Sequence, residues 1–308
     1  CVEFLCEPYS HGLSSLANEE CFREEVDRMK KKIDKYNEKK RDSQIQLAIY
    51  LTDDGCTDGT ADAVREVCKH HELHIIKGNG QCFWAGGMRM AWRQAMHDRH
   101  DWDFYLLLND DTFMYPDCMM TLIHTHDHCV RTYGKPGIYS GITCDTANTN
   151  IITYGGYVWT NYFLGLDRIL QPSGEPQQCD KANSNIMLVS RRVVETMGIF
   201  YEGFVHGAAD YDYSMQARKK GFPVLVTGKT CGCCDYDHNS HTQIKEKLLT
   251  MNLRQRKEYF NHPLHSNHDV MLHKRRNMPQ RYVLGYIGRF LNLYVPKLYY
   301  FVSDIRNK

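Results

Sequence analysis

The run Phe104-Tyr105-Leu106-Leu107-Leu108 passes without a break into Asn109-Asp110-Asp111, and no other stretch constrains the fold as tightly. An uninterrupted apolar run of strand length, bounded by acidic residues, predicts a strand buried on both faces. Such strands belong to sheets covered by helices on each side. A second apolar run, Ile45 to Leu51, ends in the same manner at Asp53-Asp54-Gly55. Between the two lie a helical pattern over Thr60 to His70, a short strand over Leu73 to Ile76, and a helix over Met88 to Arg99. This alternation predicts βαβ units and an α/β fold with a mixed, mainly parallel sheet. Ligands of such sheets bind beyond the carboxyl ends of the strands, so both acidic clusters are expected on one edge.

The second half changes character. Ile138 to Ile142, Ile151 to Trp159, Ile186 to Ser190 and Phe222 to Thr227 read as strands, with Gly155-Gly156 marking a turn or bulge. Arg191 to Met197 and Asp210 to Gly221 read as helices. Upstream, Phe22, Val26, Met29, Ile33 and Tyr36 recur at helical spacing, while Cys1 to Cys6 makes a poor first strand. The N-terminal stretch is therefore expected to be irregular.

A chain of 308 residues with formal net charge +1 offers no global field for nucleic acid. It has no apolar run of about 18 residues to span a membrane and no signal-peptide pattern. Its 13 cysteines, an odd number in a chain too large to need disulfide staples, favour a reducing cytoplasm. Beyond Asn239 the chain is polar and basic, closing with Tyr282, Tyr286, Phe290, Tyr294 and Phe301 among Arg281, Arg289 and Lys297. Residues 281–302 suit an interfacial helix on an anionic membrane, or a face packed on the rest of the molecule or on a second copy.

Adjacent carboxylates at the end of a buried strand are costly unless a cation sits beside them. Asp110-Asp111 therefore offers a site for a hard divalent ion, Mg²⁺ or Mn²⁺, held together with substrate phosphates. A solvated turn is the alternative reading of the same residues. Cys231, Cys233, Cys234, His238 and His241 raise a separate possibility, a structural zinc site, although a neighbouring pair such as Cys233-Cys234 rarely serves one zinc.

Three stretches in order resemble the signatures of family-2 glycosyltransferases. They are Leu51-Thr52-Asp53-Asp54-Gly55-Cys56-Thr57-Asp58-Gly59-Thr60, the triplet Asn109-Asp110-Asp111, and Asp210 to Phe222 with its Arg218-Lys219-Lys220-Gly221-Phe222 ending. The similarity covers roughly residues 45 to 240. It implies a GT-A, Rossmann-like catalytic domain over 1–240, split into a nucleotide-binding half (1–130) and an acceptor half (131–240), with a helical appendage over 241–308. It also implies an inverting, metal-dependent transfer of sugar from a nucleotide-diphosphate donor to a glycan or lipid-linked acceptor, of the bacterial surface-polysaccharide type. Such an enzyme would sit in the cytoplasm or against the inner face of the membrane, and could be a homo-oligomer.

The resemblance places Asp53, Asp54, Asn109 and Asp110 against the donor, with Gly78 and Trp84 from the loop Gly78 to Met88. A helix N-terminus after Gly87 would favour an anion there. Asp111 and His238 are the expected metal ligands, with His241 in reserve. Asp210 is the expected general base and Asp212 its competitor, with capping of the helix that follows as the other role open to Asp212. Ala209 stands where the family more often has Glu. Asn183-Ser184-Asn185 are either donor-pocket contacts or turn formers. Two other classes remain open: a sugar-nucleotide nucleotidyltransferase, for which no N-terminal glycine-rich loop is found, and a catalytically inactive nucleotide-binding assembly protein.

Overall fold

The structure, a computed structural model, describes residues 45–69, 71–98, 101–236, 241–265 and 267–306. The expected N-terminal strand, the helix through Phe22 and Tyr36, and His238 lie outside the described residues.

The first strand, β1 (Ala48–Asp53), pairs in parallel with β2 (Glu72–Lys77), in register from Ala48 opposite Glu72 to Asp53 opposite Lys77. Helix α1 (Thr60–Val67) connects them, and α2 (Phe83–His97) leads to β3 (Phe104–Leu108). The next elements are β4 (Phe113–Met114), α3 (Cys118–Tyr133) and β5 (Ile138–Cys144). Three short strands follow: β6 (Ile152–Tyr154), β7 (Gly156–Asn161) and β8 (Leu166–Ile169). Then come β9 (Gln177–Gln178), β10 (Lys181–Ala182) and β11 (Ile186–Ser190). Helices α4 (Arg191–Met197) and α5 (Ala209–Lys219) precede the last strand, β12 (Val224–Cys233).

The larger sheet runs β3-β11-β5-β12-β4, with β6 on β5 and β9 on β12. It is mixed, as the sequence predicts, but its balance differs from the mainly parallel expectation. Only β1–β2 and β5–β12 are parallel ladders among the described strands, and the other pairs are antiparallel. The cause is β11, which enters antiparallel between β3 and β5. Gly155, at φ 153°, makes the kink between β6 and β7 that the glycine pair foretold.

Alternate residues of the central strands feed two cores. On one face Tyr50, Leu107, Met187 and Val226 pack with Met88 and Trp92 of α2 and Tyr213 of α5. On the other, Ile49, Leu51, Leu108 and Leu188 pack with Val64 and with Cys118 and Leu122 of α3. The period-two split is what a strand covered on both sides requires. Each fully buried large side chain, Trp92 and Leu107 among them, contributes roughly 1.5–3 kcal/mol.

The chain ends in five helices: α6 (His241–Thr250), α7 (Leu253–Asn261), α8 (Asn267–Asn277), α9 (Pro279–Tyr294) and α10 (Pro296–Arg306). Leu248, Phe260 and Tyr300 form their small core. Helix α8 is the one tied most firmly to the sheet domain. Its Arg276 Nε and Asn277 Nδ2 donate to Asp212 Oδ1 at 2.8 and 2.7 Å. Its Asp269 accepts from the amides of Val205, His206 and Gly207. Pro296 breaks the aromatic segment into two helices at the point where its ring cannot continue the first.

Candidate active site

The two acidic strand ends are brought together by the loop between β2 and α2. Asp54 binds that loop with both carboxylate oxygens, Oδ1 accepting from Gly80 N and Oδ2 from Cys82 N, each at 2.7 Å. A Cβ at Gly78 would collide with this carboxylate, which is why glycine stands there. Two residues further on, Trp84 Nε1 donates to Asn109 Oδ1 at 2.9 Å. One short loop thus spans from the end of β1 to the end of β3.

Helix α2 begins at Phe83, five residues before the expected start, so its N-terminus lies ahead of Gly87 and the anion site predicted after Gly87 is not there. The two glycines, Gly86 and Gly87, are inside the helix. The carbonyl of Gly87 accepts from Thr52 Oγ1 at 2.9 Å. Phe83 itself adopts φ 49°, a strained value for a bulky residue at the entrance to the helix. Trp84 packs against Phe200 with ring centroids 5.5 Å apart, so its ring is core while its N–H serves the triplet.

Asp53 is half-buried, and its Oδ1 caps its own turn through Gly55 N and Cys56 N at 3.2 and 2.9 Å. Both members of the first acidic pair therefore hold loops. Asp53 closes the turn after β1, and Asp54 fixes the loop that carries Gly78.

Asn109 is anchored at its backbone as well, its N–H donating to Asn185 C=O at 3.1 Å. The carbonyl of Asn109 accepts from Thr112 N and closes the turn in which Asp110 and Asp111 lie exposed. Thr112 Oγ1 donates to Asp111 Oδ1 at 3.2 Å.

The neighbour of Asn185 leads to the third motif. Ser184 N donates to Asp210 Oδ2 at 3.1 Å, and Tyr211 N donates to Oδ1 at 2.7 Å. Asp210 is only 8% exposed at the first turn of α5. Burial raises its pKa above the ordinary carboxylate value of 3.8, opposed by the hydrogen bonds from Tyr211, Ser184 and Asn183. Asn183 Oδ1 and Ser184 Oγ, both buried beside it, have no hydrogen-bond partner among the described residues. Trp84, Asn109, Asn185, Ser184 and Asp210 thus form one connected array across the ends of β3 and β11 and the first turns of α2 and α5. The Asn183-Ser184-Asn185 segment, which sequence left open between turn and pocket, is its centre.

Asp212 does not join this array. Its carboxylate is 2% exposed as a residue and is held by Arg276 and Asn277 of the C-terminal helices. Ala209, where the family-2 signature more often has Glu, is 1% exposed and packed in the core.

A zinc site from the cysteine cluster is not formed by the described thiols, which face different neighbours. Cys231 bonds to Thr227 and lies in the core with Cys118. Cys233 lies against Cys144 and Tyr115, its Sγ 3.3 Å from the Cys144 Sγ. Cys234 accepts from Asn185 Nδ2 at 3.4 Å and lies near Asp111, and burial pushes its thiol pKa far up. Cys129, Cys144, Cys179, Cys231, Cys233 and Cys234 are thiols outside any disulfide, while Cys56 is disulfide-bonded.

The oxygen donors of Asp110 and Asp111, exposed at the strand end, suit a hard divalent cation. Glu72, His74 and Asp98 form another group whose ligand atoms lie within 4.8 Å of one another. It belongs to the opposite edge, because Glu72 starts β2 whereas Lys77, opposite Asp53, ends it. Among the described residues, no helix is long and apolar enough to cross a membrane.

No known protein-family profile matches the chain, and no curated protein matches it either. Solved structures do. The chain is similar to a mannosyltransferase from Pyrobaculum calidifontis in complex with GDP-Man and Mn²⁺, at 11% identity and a TM-score of 0.47, over 95% of this chain and 69% of that one. It is also similar to S. aureus TarS 1-349, at 12% identity and a TM-score of 0.44, over 95% of this chain and 80% of that one. Against GalNAc-T7 with UDP, GalNAc and Mn²⁺ it reaches 12% identity and a TM-score of 0.46 over 63% of its length, and spans 38% of that protein.

Proposed function

We propose that the chain is a metal-dependent glycosyltransferase of the inverting, family-2 kind. It would move a sugar from a nucleotide-diphosphate donor to a glycan or lipid-linked acceptor in bacterial surface-polysaccharide synthesis. The observation that carries this reading is the bonded array from Trp84 through Asn109 and Asn185 to Ser184 and Asp210. It joins an exposed acidic turn, fit for a metal and diphosphate, to a buried carboxylate with a raised pKa. A nucleotide-binding module has no use for the second part.

In this reading Asn109 and Asp110 face the donor ribose and diphosphate. Asp53 and Asp54 support that pocket by holding its two loops. Asp111 would hold the cation, with His238 as a further ligand, and the cation when bound neutralises charge on the departing diphosphate. Asp210 accepts the proton of the acceptor hydroxyl as that oxygen bonds to the anomeric carbon. The bond from that carbon to the phosphate oxygen breaks on the opposite face, and the configuration inverts. Asn183 Oδ1 and Ser184 Oγ supply unsatisfied polar atoms beside Asp210, where a sugar hydroxyl would recover the roughly 1–3 kcal/mol that an unpaired buried group costs. A cytoplasmic location is supported by the free thiols, and the Cys56 disulfide stands on the other side.

Calorimetry with nucleoside diphosphates in the presence of Mn²⁺ or Mg²⁺, beside a donor-hydrolysis assay over common UDP-, GDP- and dTDP-sugars, tests the reading. Metal-dependent binding should be lost in Asp111→Ala, by at least about tenfold in affinity. Nucleotide binding without any release of nucleoside diphosphate would leave the inactive assembly protein as the better description.

A further inference from the structure

We infer that the face formed by α9 and α10 is a docking surface for an anionic lipid bilayer, on which the protein lies without spanning it. Helix α9 has no buried residue. Val283, Ile287 and Phe290 recur along one stripe of it at 64%, 52% and 60% exposure, and Leu298 and Phe301 of α10 are exposed at 50% and 65%. Scattered apolar side chains on a surface are ordinary, whereas a contiguous set of this size marks an interaction face.

A separate exposed apolar pair stands on the sheet domain. Phe163 and Leu164, at the tip between β7 and β8, are 75% and 59% exposed. The tip is fixed beside α9, because Tyr162 OH donates to Asn277 C=O at 2.6 Å and the Arg281 guanidinium lies against Gly165. The tip therefore packs on the Arg281 side of α9, and the stripe of Val283, Ile287 and Phe290 lies on the side of the helix roughly opposite.

Charge decides the occupant. Residues 274–306 carry seven lysines and arginines against one acid, Asp304, in a chain whose net charge is only +1. Even with Arg276 paired to Asp212, the excess is large. A second copy docking isologously would set this basic face against itself. Anionic headgroups would instead take the cationic groups, while the Phe, Ile and Leu side chains enter the acyl boundary.

The hairpin stands in a defined relation to the array around Asp210. Tyr157, on β7, meets Tyr211 edge-on with centroids 5.7 Å apart, and the same strand runs on to the exposed tip. Six residues separate Tyr157 from Phe163, so the two are at most about 20 Å apart. Lipid binding itself does not rest on the catalytic reading.

Co-sedimentation of the full chain with phosphatidylglycerol-containing vesicles and with pure phosphatidylcholine vesicles tests the inference without any transfer assay. The protein should bind the anionic vesicles and release as salt rises. The exposed double variant Ile287→Asp/Phe290→Asp should lose at least about tenfold in partitioning at an unchanged Tm. Lys297→Gln should lose about fivefold on anionic vesicles and nothing on neutral ones. No binding to anionic vesicles overturns the inference. So does a concentration-dependent dimer in sedimentation velocity that the double variant abolishes, which would make a second copy the occupant.

Discussion

Asp210 and Asp212 lie within one helical turn, yet their surroundings give them opposite work. The oxygens of Asp210 are held by two backbone amides, from Ser184 and Tyr211, beside polar atoms that lack partners. Asp212 is saturated by Arg276 and Asn277. Asp210→Asn should therefore lower kcat by about 10²–10⁴ while donor affinity stays nearly constant. Asp212→Asn should keep kcat within a few-fold and lower stability by about 1–3 kcal/mol through its lost ionic partner. Steady-state kinetics and thermal melts on both variants separate the roles, and a larger kcat loss for Asp212→Asn would exchange them. The pH profile gives a second check. A base must be unprotonated, so activity should fall as pH drops through the pKa of Asp210, which burial has raised above 3.8. That acid limb should be absent from the residual activity of Asp210→Asn.

At the scale of elements, the loop between β2 and α2 does the joining, and Asp54 is its clamp. Removing the carboxylate in Asp54→Ala frees the amides of Gly80 and Cys82 and loosens the segment that delivers Trp84 to Asn109. The expected result is faster amide exchange over 78–84, roughly 1–3 kcal/mol of lost stability, and a raised KM for donor with a smaller effect on kcat. Much of this was legible beforehand. The apolar runs ending in acids gave the strands, and Ile186–Ser190 and Arg191–Met197 match their elements at both ends. What sequence could not supply was partnership. Whether Asp54 faces a ligand or a loop depends on an amide 28 residues away, and whether Asp212 is a base depends on Arg276, 64 residues away. The start of α2 was misplaced because Gly86-Gly87 read as a loop. Glycine is tolerated inside that helix where its backbone meets Thr52. The antiparallel entry of β11 was hidden for a related reason, since a strand buried on both faces shows the same apolar run in either direction.

At the scale of the whole molecule, the five C-terminal helices are joined to the sheet domain by buried polar groups. Among these, His273 of α8 is 7% exposed, and burial, aided by Lys181, Lys219 and Lys274, lowers its pKa from 6.5 to about 4. The folded state thus prefers the neutral ring. Its contribution is complete above pH 6.5 and is lost as pH falls toward 4, by about 3 kcal/mol once the ring is charged in the unfolded chain and penalised in the folded one. Melts of the natural chain should therefore show stability falling across that window, and His273→Gln should flatten the slope; an unchanged slope would assign the titration elsewhere. The segment before α5 shows how close this joining comes to Asp210. Arg89 of α2 donates to the carbonyl of Phe204 at 2.7 Å, and Asp269 of α8 receives three consecutive amides beginning at Val205. A stretch held from opposite sides has no slack. Over evolutionary time, residues added or deleted between Tyr201 and Ala208 would break one hold or the other. Length variation among descendants of this chain is thus steered away from the approach to Asp210.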